Sequence, residues 1–167
     1  MKLPSLSDIN VAGKRVMVRI DLDVDEDYSR LEFAESTLDY LLGKMAKLII
    51  IGHKGRPEGK VVPELSLSHL ASVLGGVVGE KVNFVNDTVG IEAQKKAQNL
   101  PDGEILLLEN LRFDLGEEQN NETFAKNLSS LGEVYVNEAF ADSHRPHASI
   151  VGIPKFLPHA FGFRFVK

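Results

Sequence analysis

The chain has 167 residues, 43% apolar and 26% charged, with a net charge of −5 and no cysteine. That length fits one domain with a sizeable core, and the missing cysteine removes disulfides, thiolate metal sites and a cysteine nucleophile. The acidic balance argues against nucleic-acid partners, no run reaches the ~18 apolar residues of a membrane span, and the opening stretch lacks a signal-peptide core, so a cytoplasmic location is the expectation.

Residues 13–20, GKRVMVRI, read as the first strand, rich in Val and Ile after a glycine turn. Five acids in seven residues follow, Asp21, Asp23, Asp25, Glu26 and Asp27, and then Arg30. Hard oxygen ligands suit Mg²⁺ or Ca²⁺. The spacing of a calcium-binding helix-loop-helix is absent, however, and a solvated loop is the plainer reading. Residues 31–45 carry apolar side chains at intervals of three and four, one face of an amphipathic helix.

The stretch KLIIIGHKGRP, residues 47–57, is the most informative. Its continuous apolar run between turn residues reads as a strand buried on both faces of a parallel sheet. The loop after such a strand lies at its carboxyl end, where open α/β sheets bind ligands. Gly52 and Gly55 allow close backbone approach, and His53, Lys54 and Arg56 supply donors for an oxyanion.

Ser66 is placed to cap a helix over residues 67–77. His69 on that helix has no companion in ligand spacing and reads as an ordinary surface or packing histidine. A short strand is expected over 81–85, a polar helix over about 90–99, and a Pro-Asp-Gly turn at 101–103. Residues 104–108 form a fourth strand, which runs into Glu109-Asn110-Leu111-Arg112. A helix over 121–131 and a strand over 133–136 complete the series, and the last strand opens into a loop holding Asp142, His144, Arg145 and His147. An expected apolar edge closes the chain at FGFRFV, residues 161–166.

Alternating strands and helices without repeat or linker predict an α/β fold. It is a doubly wound, Rossmann-like parallel sheet of five or six strands with helices on both faces, three layers in all, and a single domain over 1–167. Right-handed crossovers put every strand's carboxyl end on one edge. Arg30, His53, Arg56, Arg112, His144, Arg145 and His147 therefore converge into a basic cup. Arginine favours carboxylate or phosphate, so a phosphorylated carboxylic acid would satisfy both ends. No general base stands out, which fits phosphoryl transfer, where positioning and charge neutralisation dominate.

The stretches VRIDLDV, GHKGRPEGK, LLLENLRF, VYVNEAF and HRPHAS, in this order and spacing, resemble the amino-terminal domain of phosphoglycerate kinase, and the likeness covers nearly the whole chain. The resemblance implies binding of 3-phosphoglycerate or 1,3-bisphosphoglycerate in a glycolytic enzyme. By motif the substrate-binding positions are Asp21, Asp23, Arg30, His53, Arg56, Arg112, His144 and Arg145, with Arg30 as the catalytic arginine that neutralises the transferring phosphoryl group. No cofactor or metal is expected on these residues. The family holds Mg-ADP or Mg-ATP on a second, nucleotide-binding domain, which this chain would need as a partner, covalent or in trans.

Three departures stand out. The family's D-x-N reads Asp21-Leu22-Asp23, a second carboxylate where a neutral amide meets an anion, and such a charge opposes binding unless it is protonated, hydrogen-bonded or turned away. The segment from Asp23 to Arg30 is short and acidic, with Asp25 at a place where the family tends to have proline. The last loop carries Ala141-Asp142-Ser143 and Pro146 in place of smaller or less charged residues. Ending near the family's interdomain helix, the chain reads as a substrate half, inactive alone. The alternative is a divergent stand-alone anion-binding or regulatory domain.

Overall fold

The strand interiors are almost wholly apolar, and in this computed structural model, which describes residues 3–165, they form one six-stranded sheet. The strands are β1 (Arg15–Arg19), β2 (Lys47–Ile51), β3 (Val82–Val85), β4 (Ile105–Leu108), β5 (Val134–Asn137) and β6 (His159–Phe161). Their spatial order is β3-β4-β2-β1-β5-β6, and every neighbouring pair is parallel. Five of these were expected from the sequence. The sixth is only three residues long and pairs Tyr135 with His159 at the sheet edge.

Side chains alternate across the sheet, and each set finds its own layer. Val16, Val18, Leu48, Ile50, Leu107 and Val136 pack on one face against Leu31, Leu38, Leu41, Leu70 and Leu74. Met17, Ile49, Ile51, Leu106, Leu108 and Tyr135 pack on the other against Ala93, Ala97, Phe124 and Leu128. The first layer belongs to α1 (Ser29–Glu32), α2 (Glu35–Gly43) and α3 (Leu70–Val78). The second belongs to α4 (Ile91–Gln98) and α6 (Glu122–Ser129), with the single turn α5 (Leu115–Glu118) leading into α6. This is the three-layer, doubly wound arrangement that the alternation predicts.

Two helices differ from the periodicity. The single helix expected over 31–45 is split, because Phe33 and Ala34 donate to Arg30 and Leu31 in tight three-residue turns before Leu38 resumes bonding to Ala34. The third helix begins at Leu70 rather than 67: Ser66 Oγ still accepts from the Ser68 amide at 3.3 Å, but the hydroxyl donates to Glu109 Oε2 at 2.7 Å and the Leu67 amide to Oε1 at 2.9 Å. A tertiary carboxylate is added to the local cap and takes the Leu67 amide.

The carboxy-terminal aromatic run folds back in part. Phe163 meets Tyr40 edge-on at 5.2 Å, and Phe165 lies 4.9 Å from Phe161 and 5.3 Å from Phe140, itself 54% exposed. Val166 and Lys167, the end of that run, lie outside the described residues, as do Met1 and Lys2. No helix among the described residues is long and apolar enough to cross a membrane.

Candidate functional site

The loops that leave β1, β2, β4 and β5, the four inner strands, meet at the carboxyl edge around a cleft of about 230 Å³. Asp21, Asp23, Arg30, His53, Arg56, Arg112 and Arg145 line it, together with Gly55, Ala141 and Asp142. Neither His144, which is exposed, nor His147, which is buried, is among the lining residues, although both were expected in the cup. Residues more than 120 positions apart in sequence are thus brought together by strand order alone.

The β2 loop is fixed from below. The Asn110 side chain donates to the carbonyls of Lys54 at 2.7 Å and Leu65 at 3.0 Å, while its oxygen accepts from the Arg112 amide at 3.0 Å. Leu111 N donates to the Gly52 carbonyl at 3.1 Å. One asparagine therefore ties the glycine loop to the arginine that follows β4. Gly52 is required by space, since a Cβ there would lie 2.6 Å from Leu22 Cδ1 and 2.9 Å from the Ile20 carbonyl. Gly55 is required by conformation, with φ +65°.

Arg112 is 4% exposed and donates through one terminal nitrogen to the Gly55 carbonyl at 2.9 Å. Its Nε and other terminal nitrogen have no hydrogen-bond partner in the protein, and the same holds for buried Arg145 Nε and His147 Nδ1. The nearest carboxylates stand off, at 3.7 Å from Arg112 Nε to Glu118 and 3.5 Å from Arg145 Nε to Asp142. Buried guanidinium donors of this kind cost free energy unless something accepts from them. Burial lowers the pKa of Arg112 and of His147 from their ordinary values; the guanidinium remains charged.

Asp23, the departure that most opposes anion binding, is engaged with the glycine loop. Its Oδ1 accepts from the Gly55 amide at 3.1 Å, and Oδ2 lies 3.8 Å from His53 Nε2. Burial pushes the Asp21 carboxyl above the usual carboxylate range, against the hydrogen bond it accepts from the Asp23 amide. Arg30 reaches the cleft despite the short acidic segment, 3.6 Å from Asp21 Oδ2 and half exposed. Arg56 is exposed at the rim. Among the described residues no three His, Asp or Glu side chains gather into a group that could hold a metal ion.

Sequence reasoning passed over Arg19, because it sits inside β1. It is fully buried, donates to His53 Nδ1 at 2.8 Å and lies 3.8 Å from Asp142 Oδ2. A lone charge within an apolar strand is the signal that marks it, since charged residues are rarely buried without a partner. Desolvation, reinforced by Arg19, Arg112 and Arg145, pushes the pKa of His53 down to about 2. Its approaches to Asp23 and Asp142, 3.8 and 3.9 Å, are therefore contacts of a neutral ring rather than ion pairs.

A parallel doubly wound sheet with a basic cleft at the carboxyl edge of its inner strands defines the Rossmann-like α/β class, in which ligands lie where strand order reverses. Within that class the chain belongs to the phosphoglycerate kinase family and corresponds to its amino-terminal domain: the family model matches residues 6–167. Among curated relatives, the phosphoglycerate kinases of Moorella thermoacetica and Bartonella henselae are each 45% identical over 98% and 97% of the chain. The chain spans 43% and 42% of their lengths. The crystal structure of phosphoglycerate kinase from Pyrococcus horikoshii OT3 superposes with a TM-score of 0.89 at 30% identity, covering 98% of this chain and 43% of that one. The structure of the Coxiella burnetii enzyme gives 0.84 at 33% identity, over 96% and 41%.

Proposed function

We propose that this chain is the substrate-binding half of a phosphoglycerate kinase, holding 3-phosphoglycerate or 1,3-bisphosphoglycerate while a nucleotide-binding domain, covalent or in trans, presents Mg-ADP or Mg-ATP. The observation that carries the reading is the set of buried guanidinium donors on Arg112 and Arg145 that lack protein acceptors beside the cleft. An anionic ligand would complete them, and charge-assisted bonds from arginine are the strong ones.

The residues divide the work by position. Arg112 and His53 form the floor and are held by hydrogen bonds to Gly55 and Arg19, with the part-exposed Arg145 beside them, so they grip the non-reacting part of the ligand. Arg30 and Arg56 stand at the rim, where a phosphoryl group passing to the nucleotide would be met, and Arg30 neutralises that group. His144, exposed outside the cleft lining, is a peripheral member of the substrate set. Asp23, already hydrogen-bonded to Gly55, orders the loop and leaves the donors to the ligand.

Calorimetric titration with 3-phosphoglycerate at low ionic strength tests the reading, because screening weakens a charge-on-charge interaction. Binding by the wild-type chain and none by Arg112→Ala is the expected result. No binding by either overturns it in favour of a divergent domain. Since positioning both reactants supplies most of this catalysis, the isolated chain is expected to form no ATP from 1,3-bisphosphoglycerate and ADP. Activity is expected to appear only when a nucleotide domain is supplied.

A further inference from the structure

Behind the cleft runs a buried chain of polar groups that the substrate-binding reading does not use. Glu117, on α5, is fully buried, and its Oε1 accepts from the Ser149 amide at 2.7 Å while Oε2 accepts from the Ser149 hydroxyl. Ser149 has then spent its only proton, so its Oγ meets Arg19 Nε, 3.0 Å away, as an acceptor. Arg19 carries no acceptor and therefore donates at its other end, to His53 Nδ1. A neutral imidazole whose Nδ1 accepts must carry its hydrogen on Nε2, the nitrogen on the side of Asp23 and the cleft.

We propose that Glu117 and Ser149 are positioning residues that act through Arg19 to hold His53 as the Nε2–H tautomer, a fixed hydrogen-bond donor to the anion in the cleft. The functional consequence rests on the 3-phosphoglycerate reading; the tautomer does not. Without an acceptor for Arg19 Nε, the guanidinium swings toward its neighbouring carboxylates and releases Nδ1. That nitrogen then takes the hydrogen and turns it toward Asp142 Oδ2, 3.9 Å away. Nε2 is left with a lone pair facing an anion, and a donor has become a repulsive acceptor.

The test is a long-range ¹H–¹⁵N spectrum of the His53 ring in the full 167-residue chain at pH 7, recorded without ligand. The wild type is expected to show the Nε2–H form alone. Ser149→Ala is expected to populate the Nδ1–H form and weaken 3-phosphoglycerate about tenfold, the scale of one charged hydrogen bond. Ser149→Thr, which keeps the hydroxyl, is expected to restore both readouts. An Nδ1–H ring in the wild type, or an unchanged tautomer in Ser149→Ala, overturns the proposal. Should Ser149→Ala not fold, the wild-type spectrum still decides. A wild-type ring in the Nε2–H form on a chain that does not bind 3-phosphoglycerate supports the positioning role and removes the functional reading instead.

Discussion

Two concavities toward opposite ends of the sheet differ in size and in chemistry, and the larger of the two carries less chemistry. A cavity of about 440 Å³ lies toward the amino edge of β3 and β4, bordered by Glu92, Lys95, Lys96 and Glu104. Its lysines and acids are exposed and free to neutralise one another in water. The cleft at the carboxyl edge is about half that volume, but its floor is made of Arg112 and His53, each less than 5% exposed, over a fully buried Arg19. Charge removed from water and held in place interacts far more strongly than the same charge on a mobile surface side chain. Burial, rather than volume, marks the site.

The widest separation between the two regions is expected from paired substitutions. Arg112→Ala should weaken 3-phosphoglycerate at least a hundredfold by calorimetry, about 3 kcal/mol for a buried charged donor set. Lys95→Ala with Lys96→Ala at the other end should leave affinity within a factor of two. Equal losses would mean that the arginines act only through overall charge.

Next in size is Gly52→Ala. With backbone and Leu22 within 3 Å of the added carbon, overpacking should cost about 1–3 kcal/mol in urea unfolding. Affinity should fall with it, because the loop carrying His53 must shift.

Acid should act on the cleft and spare the opposite groove. His53 in the unfolded chain titrates near 6.5 and in the folded chain near 2. Below pH 6.5 the unfolded chain therefore binds a proton that the folded one refuses, and stability present above that pH is lost as pH falls toward 2. The slope reaches about 1.4 kcal/mol per pH unit for one proton. Asp21, whose folded value is raised, offsets part of this loss at the acid end. His53→Gln, which keeps an acceptor for Arg19, should flatten the decline between pH 6 and 4; an unchanged slope would show that His53 is not the group responsible.

The smallest effect concerns Asp23→Asn. The amide oxygen still accepts from Gly55 while one negative charge leaves the cleft, so affinity should rise a few-fold at low salt, and less at high salt. A loss of affinity would mean that the carboxylate is needed to order the loop.

The parallel doubly wound class and the gathering of Arg30, His53, Arg56, Arg112 and Arg145 were legible in the sequence, because both follow from periodicity and crossover handedness. Asp21 and Asp23 were reached only through the family resemblance, and His144 and His147, expected in the same cup, do not line it. Apolar runs bounded by turn residues located β1 to β5, and parallel crossovers placed every following loop on one edge. The support beneath the site was not legible. Arg19 reads as one more strand residue, and Glu117 and Ser149 lie 32 positions apart on elements whose contact depends on packing. Ser66 misled for the same reason: besides its local turn it binds Glu109, a partner 43 positions away, and the helix starts three residues later than its capping pattern suggests. Local patterns find elements and loops, whereas tertiary hydrogen bonds decide which side chains are held.

Strand order also governs which parts of the molecule open first. The cleft rests on β4, β2, β1 and β5, all interior, while β3 and β6 are the edges. Edge strands fray and exchange their amide hydrogens through small local openings, whereas interior strands exchange only when most of the structure comes apart. Hydrogen exchange should therefore be fast at His159–Phe161 and slow along Val16–Val18 and Leu48–Ile50. The floor of the cleft then persists for as long as the fold itself, and breathing is concentrated at the two margins, one along Val82–Val85 and the other along His159–Phe161.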